Sequence, residues 1–308
     1  MGSRQKCALW LISLMRLILY LALITVVGAI VGGDSAIPGE YPHMAVLGRD
    51  CIYPEGGGCV GGYEWFCGGS LVSARFVLTA AHCAHVGMSN PPSVVQLGTH
   101  DLRHPSLIVD VQMIVQHPGY GGILSYNDIA LIQLASPVTT IQPAYLWRSE
   151  AIPEHVPLIA TGWGKVGHFE EPSMVLQRVQ IPLVPNTRCN QLLYRNRRLR
   201  QGVLPTQLCA GDPHGGKDTC EGDSGGPLQL KLSVAGLKGN ANRYYIVGIT
   251  SNGGICGTVN RPGLYTRVSS YIGWIERELQ RPINYDSSQL INIILLPNVF
   301  SRWMFCCL

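Results

Sequence analysis

Three short segments, far apart in the chain, carry side chains that together can perform acyl transfer: "LTAAHC" with His82, "NDIALIQL" with Asp128, and "DTCEGDSGGP" with Ser224. A serine hydroxyl is a poor nucleophile near neutral pH and needs a base within hydrogen-bond reach. His82 is the candidate base. A buried Asp128 would fix its tautomer and stabilise the imidazolium that forms. The glycines around Ser224 let the backbone N–H groups of Gly222 and Ser224 converge on a developing oxyanion, each donor being worth roughly 3–4 kcal/mol in a transition state. Singly, each segment has a blander reading. A histidine beside Cys83 can be structural, an aspartate in a loop often caps a turn, and "GDSGG" can be only a tight turn.

Such groups need a scaffold that brings remote loops together. After Ile30 the chain runs through short apolar or alternating stretches, among them "SLVSARFVLTAAHC", "SVVQLG", "LIVDVQMIVQ", "VPLIATGWG" and "YYIVGIT". Their β-branched content and their Gly, Pro, Asn and Asp boundaries predict an all-β fold. One segment reads as a helix, "SSYIGWIERELQ", from Ser269 to Gln280, with Tyr271, Ile272, Trp274, Ile275 and Leu279 on one buried stripe. There is no internal repeat and no linker after Ile30, so one unit is expected.

Composition narrows the class. The chain has 308 residues with 36 Gly, 20 Pro and 14% charged residues. That is turn-rich and globular, not disordered. A net charge of +4 is too mild to argue for nucleic acid. Of 11 cysteines, Cys7 lies near the amino end and Cys306 and Cys307 at the carboxyl end. Cys51, Cys59, Cys67, Cys83, Cys189, Cys209, Cys220 and Cys256 remain, an even set that suits disulfides in an oxidising compartment. Arg4, Lys6 and Arg16 precede an apolar run that ends in Val27-Gly28-Ala29, the pattern of a signal peptide over residues 1–29. A retained membrane anchor is the competing reading of that stretch. Residues 282–308 are expected to be a disordered tail.

With the order His, Asp, Ser, the "IVGG" at Ile30, "WFCGGSLVS" and "PGLYTRVSSYIGWI", the stretch from Ile30 to about Gln280 resembles the trypsin family of chymotrypsin-fold serine proteases. The resemblance implies two six-stranded antiparallel β-barrels with a carboxy-terminal helix, and residues 30–281 as the protease domain. It implies catalysis by His82, Asp128 and Ser224 through an acyl-enzyme, with no metal and no cofactor. It places Asp218 at the floor of the primary pocket, beside Thr219, Ser251, Gly253 and Gly263, to receive a substrate Arg or Lys. It pairs Cys67 with Cys83, Cys189 with Cys209 and Cys220 with Cys256, leaving Cys51 and Cys59 for an extra loop. That extra pair is reminiscent of the catalytic domains of invertebrate clip-domain proteases, although the chain as written carries no clip domain. The expected partners are protein or peptide substrates and serpin-type inhibitors. A secreted monomer without stable membrane association and without nucleic acid follows. A catalytically weak or inactive homologue that acts as a binding module is the alternative.

The family also implies that a freed Ile30 amine turns inward to pair with Asp223. Signal peptidase cleavage after Ala29 would expose that amine directly; an upstream pro-region joined wrongly to this leader is the rival reading. Some positions depart from the pattern. Asn252 stands where the family usually has an aromatic that packs the substrate residues just before the cleaved one, and Ile255 stands where trypsins usually have glycine. Thr99 replaces an acid used by calcium-binding members, so no calcium is expected there. The basic insert "YRNRRLRQG", Tyr194 to Gly202, reads either as an exosite for an acidic protein or sulfated glycan, or as a solvated loop.

Overall fold

The structure is a computed structural model describing residues 30–52, 59–84, 90–123, 125–165, 167, 170–193, 197–234, 241–252 and 255–281. The signal-peptide and tail expectations, and Gly253, lie outside the described residues. In chain order the strands of the first half are β1 (Asp34–Ser35), β2 (Met44–Asp50), β3 (Cys59–Val60), β4 (Tyr63–Ser73), β5 (Phe76–Thr79), β6 (Val94–Leu97), β7 (Leu107–Gln116) and β8 (Ala130–Leu134). Those of the second half are β9 (Tyr145–Leu146), β10 (Leu158–Gly162), β11 (Gln177–Ile181), β12 (Leu183–Val184), β13 (Gln207–Ala210), β14 (Pro227–Val234), β15 (Ala241–Asn252) and β16 (Gly263–Arg267).

The first sheet runs β2-β6-β7-β8-β5-β4-β3, and β2 also pairs with β4, so six of its strands close into a barrel. Closure explains the sequence pattern. β5, β6 and β8 are buried along their whole length because both faces are covered. The second sheet runs β1-β11-β10-β14-β15-β16-β13-β12. It is curled rather than closed by a ladder. Its returning end is β12, which follows β11 through Pro182, so one continuous run pairs with β10 on one side and with β13 on the other and brings the sheet round into the curled second half of the expected fold. Proline has no N–H to give to such a ladder.

The apolar core crosses between the halves. One cluster joins Leu47, Leu71, Val77 and Ile132 of the barrel with Ile159, Trp163, Ile246 and Ile249 of the second sheet and with Tyr271, Trp274 and Ile275. The last three belong to the expected carboxy-terminal helix. It begins with a 3-10 turn at Val268–Tyr271 and continues as α2 (Ile272–Leu279). Preceding it in the chain is a short helix not anticipated from the sequence, α1 (Asn186–Leu192), tied down by the buried Cys189. Its seven residues give too little periodicity to recognise. A separate cluster beneath α1 gathers Tyr126, Cys189, Leu199, Val203, Cys209 and Leu264. Among the described residues four disulfides connect Cys51–Cys59, Cys67–Cys83, Cys189–Cys209 and Cys220–Cys256, in the expected pairing.

Candidate active site

The barrel and the curled sheet meet at a cavity of about 700 Å³, and the three chemistry-bearing residues all line it. His82 sits in a single 3-10 turn, Ala81–Cys83, immediately after β5. Its neighbour Cys83 is bonded to Cys67 of β4, which pins the turn to the barrel. Asp128 comes two residues before β8 and is held by Asn127, whose φ is 54°. Asparagine tolerates this left-handed conformation better than most residues. The Asn127 amide donates to the Gly119 carbonyl at 2.9 Å and accepts from the Tyr271 hydroxyl at 3.0 Å, so the carboxy-terminal helical segment buttresses the loop.

Asp128 is almost fully buried, yet its carboxylate is saturated with donors. His82 gives two: the backbone N–H to Oδ1 at 2.9 Å and ring Nδ1 to Oδ2 at 2.8 Å. The Ser251 hydroxyl gives a third, to Oδ2 at 2.5 Å. Thr266 donates to the Asp128 carbonyl at 2.8 Å, fixing the backbone from the β16 side. With the Nδ1 proton directed at Asp128, Nε2 is left as the basic nitrogen. Ser251, expected at the wall of the specificity pocket, thus also orients the acid. Its position at the end of β15 gave no sign of that second contact in the sequence.

Ser224 lies in a loop whose shape depends on glycine at particular places. Gly222 has φ of 96°, and a β-carbon there would sit 2.8 Å from the Gly164 α-carbon. Gly225 has φ of 78°, and a β-carbon would meet Thr79 Oγ1 at 2.2 Å. The Ser224 carbonyl accepts from Gly68 N–H at 2.7 Å, tying the loop to β4. The N–H groups of Asp223 and Gly226 are taken up within the loop, and that of Gly225 by Thr250. Among the described residues no protein acceptor takes the N–H of Gly222 or Ser224. Two donors beside a nucleophile are what an oxyanion requires.

Two buried acids flank this loop. Asp223 accepts from Gly164 N–H and Cys220 N–H, both at 2.9 Å, and burial pushes its carboxyl up to about 7 despite those bonds. A β-carbon on Gly162 would lie 2.1 Å from Asp223 Oδ1, so the glycines of "ATGWG" make room for the acid. Ile30 is wholly buried in the cluster under the second sheet, and the Val31 carbonyl accepts from Asp218 N–H at 3.2 Å. Asp218 is buried behind the cavity wall, adjacent to the lining residues Thr219 and Cys220. Its Oδ2 accepts from Gly257 N–H at 3.2 Å, whereas Oδ1 has no partner. Burial raises this carboxyl to about 7 as well, against the hydrogen bonds from Gly257 and Thr219. A β-carbon on Gly263 would lie 3.2 Å from that unpartnered oxygen, and Thr219 Oγ1 is held 2.9 Å from the Tyr265 hydroxyl. Ile255 is exposed at the cavity mouth.

The cleft has further walls that no sequence pattern indicated. Tyr120 and Ile123 come from the loop before Asp128, and Lys165 is ion-paired with Glu221 at 2.7 Å across the other side. Arg198, from the described part of the basic insert, lines the cavity too. As for metals, Cys67, His82 and Cys83 bring ligand-type atoms close together among the described residues. The two sulfurs are bonded to each other, so neither offers a thiolate and the group does not fit an ion. Among the described residues no helix is long and apolar enough to cross a membrane.

A barrel and a curled sheet that share a cleft, with serine, histidine and aspartate loops converging on it, define the double-β, serine-hydrolase class of architecture. The Trypsin family profile matches residues 30–275, and the chain belongs to the trypsin family of serine proteases. It is 41% identical over 257 residues to "Serine protease snk" of Drosophila melanogaster, covering 80% of this chain and 56% of that one. It is 39% identical over 263 residues to "Serine protease Hayan" of the same organism, covering 80% of this chain and 38% of the relative. To "Clotting factor G beta subunit" of Tachypleus tridentatus it is 34% identical over 269 residues, covering 82% of this chain and 80% of the other. The chain therefore spans only about half the length of the two Drosophila relatives.

Proposed function

We propose that this chain is a secreted serine endopeptidase that hydrolyses peptide bonds after Arg or Lys, acting in extracellular proteolysis of the cascade type. The observation that carries the chemistry is the Asp128 carboxylate, saturated by the His82 backbone N–H, by His82 Nδ1 and by the Ser251 hydroxyl, in the cleft that Ser224 also lines. His82 Nε2 takes the proton from Ser224 Oγ as that oxygen attacks the substrate carbonyl. The N–H groups of Gly222 and Ser224 stabilise the oxyanion. Asp128 stabilises the imidazolium without itself taking the proton. His82 then protonates the departing amine, leaving an acyl group on Ser224. A water activated by the same nitrogen releases it. No cofactor enters this sequence.

The buried, unpartnered oxygen of Asp218 supports selection of a basic residue. A guanidinium or ammonium supplies the positive partner that burial makes costly to lack, and a guanidinium can engage a carboxylate by two bonds. Gly263 leaves the space for it, and Thr219 lies beside the floor. Substrate residues preceding the cleaved bond run past Ser251 and Asn252. A freed amine at Ile30 provides the cation for Asp223 and holds the Glu221–Gly225 loop in the shape described. The relatives named for clotting and serine-protease activity support placing the chain in a cascade, and its four disulfides suit export.

The test is hydrolysis of matched fluorogenic peptides differing only at the cleaved residue. Arg and Lys peptides are expected to be cut at least about 100-fold faster than Leu or Glu peptides, as suits a site built around a charged partner. Equal rates, or a preference for Leu, would overturn the specificity assignment.

A further inference from the structure

Two cationic side chains, Lys165 and Arg198, are among the residues that line the cleft. His82 and Asp128 are hydrogen-bonded to each other, and Lys165 and Glu221 are ion-paired. Arg198 donates across the cleft from Nη1 to Asn252 Oδ1 at 3.3 Å. That is longer than the usual 2.9–3.0 Å or so of an N–H···O bond. A carboxylate would make a shorter, charge-assisted and potentially two-pronged bond with the same guanidinium.

Arg198 is not simply one residue of a solvated insert. Its neighbour Leu199 is buried beneath α1, and the Arg198 carbonyl accepts from Ser125 N–H at 3.0 Å. The Tyr126 hydroxyl accepts from Gln201 N–H at 2.8 Å and donates to the Gly202 carbonyl at 2.9 Å. Asn252 is held in turn by Nδ2 donating to Ser125 Oγ at 3.4 Å. The insert is thus fastened to the loop that presents Asp128, and its arginine is set in advance at the Asn252 end of the cleft. The fastening fixes the backbone of the insert; the Arg198 side chain itself is exposed, and ordering it on a carboxylate costs conformational entropy.

We propose that Arg198 is a specificity-determining residue, selecting peptide substrates with an aspartate or glutamate in the short stretch before the cleaved bond. The loss of an aromatic platform at Asn252 fits this role: the position supplies a polar seat for the guanidinium instead of an apolar shelf. The inference rests on the endopeptidase reading above and names its substrate class. Low-dielectric cleft walls strengthen such a charge contact relative to open surface.

The experiment compares fluorogenic peptides with Arg at the cleaved position and Glu, Ala or Lys at the second, third or fourth position before the bond. The protein is expressed from the full chain, and the reading is the Glu-to-Lys ratio of kcat/KM, which does not depend on the fraction of active enzyme. For the unaltered protein the ratio is expected to reach about tenfold at one of these positions, the scale of one charge-assisted hydrogen bond. It should shrink as salt is raised. Arg198→Ala should bring it near one, and Arg198→Glu should invert it. A ratio near one at all three positions, or one unchanged in Arg198→Glu, would overturn the proposal. So would heparin binding that Arg198→Glu abolishes while the peptide ratio stays fixed, since the insert would then be a glycan site. Failure to cut any Arg peptide, with no fluorophosphonate label on Ser224, would instead overturn the endopeptidase reading and this inference with it.

Discussion

At the scale of single residues, two carboxylates govern behaviour that can be measured. Asp218, raised to about 7 by burial, is largely protonated in mildly acidic solution when the pocket holds no cation. A cationic ligand pairs with the ionised form. Benzamidine should therefore bind Ser224→Ala more tightly as pH rises from about 5, by close to tenfold per unit, and level off above about 7. Fluorescence titration checks this, and an affinity independent of pH would mean that Asp218 is ionised throughout. Ser251→Ala removes one of three donors from Asp128 and leaves both from His82. The expected result is a fall in kcat of about 3- to 30-fold, the scale of one hydrogen bond to a charged group, with KM little changed.

At the scale of elements, the question is what holds the loops in register. Tyr126 joins the loop bearing Asp128 to the insert bearing Arg198 through its hydroxyl. Tyr126→Phe keeps the packing and loses both contacts, so it should cost about 1–3 kcal/mol in urea unfolding and expose Arg197–Arg200 to cleavage by added trypsin. Unchanged proteolysis would show that Leu199 burial alone fixes the insert. These elements also mark how far the sequence could be read. His82, Asp128 and Ser224 were legible because each sits in a short motif whose neighbours must be what they are: the disulfide beside His82, the left-handed Asn127, the glycines that a β-carbon would block. The barrel strands were legible because closure demands uninterrupted apolar runs. Tyr120, Ile123 and Arg198 were not, because a loop that gains its place through backbone hydrogen bonds leaves no periodic trace. The second sheet fits the same expectation, its circuit completed by the chain through Pro182 between β11 and β12, a detail that period and composition do not reveal. α1 escaped notice because its stability comes from Cys189 and packing rather than from intrinsic helical pattern.

At the scale of the whole molecule, the core cluster that joins the barrel, the second sheet and α2 makes the two halves one cooperative unit. Trp274→Ala should cost about 3–5 kcal/mol and lower a single calorimetric transition; two separate transitions would show that the halves are independent. In the proposed pairing, a free Ile30 amine would couple the amino end to the same unit through Asp223. Where residue 29 is still peptide-bonded to Ile30, Asp223 has no amine partner, and its carboxyl stands at about 7 against a reference of 3.8. The folded state then holds its proton more tightly than the unfolded state. The resulting cost is absent below the unfolded value, grows as pH rises between the two and is complete above the folded one. With a free Ile30 amine the carboxylate gains its cation, and that decline should disappear. Asp218 contributes a similar slope to both forms, so the difference between their melting temperatures across this window isolates Asp223.

The most direct measurement is mass-spectrometric mapping of a fluorophosphonate probe on the native protein with Ile30 at its amino terminus. Only a serine activated by its surroundings reacts with such a probe at a useful rate. The expected result is one adduct, on Ser224, lost in His82→Ala and strongly slowed in Asp128→Asn. No adduct, or an adduct on another serine, would contradict the assignment of Ser224, His82 and Asp128 as a working catalytic unit.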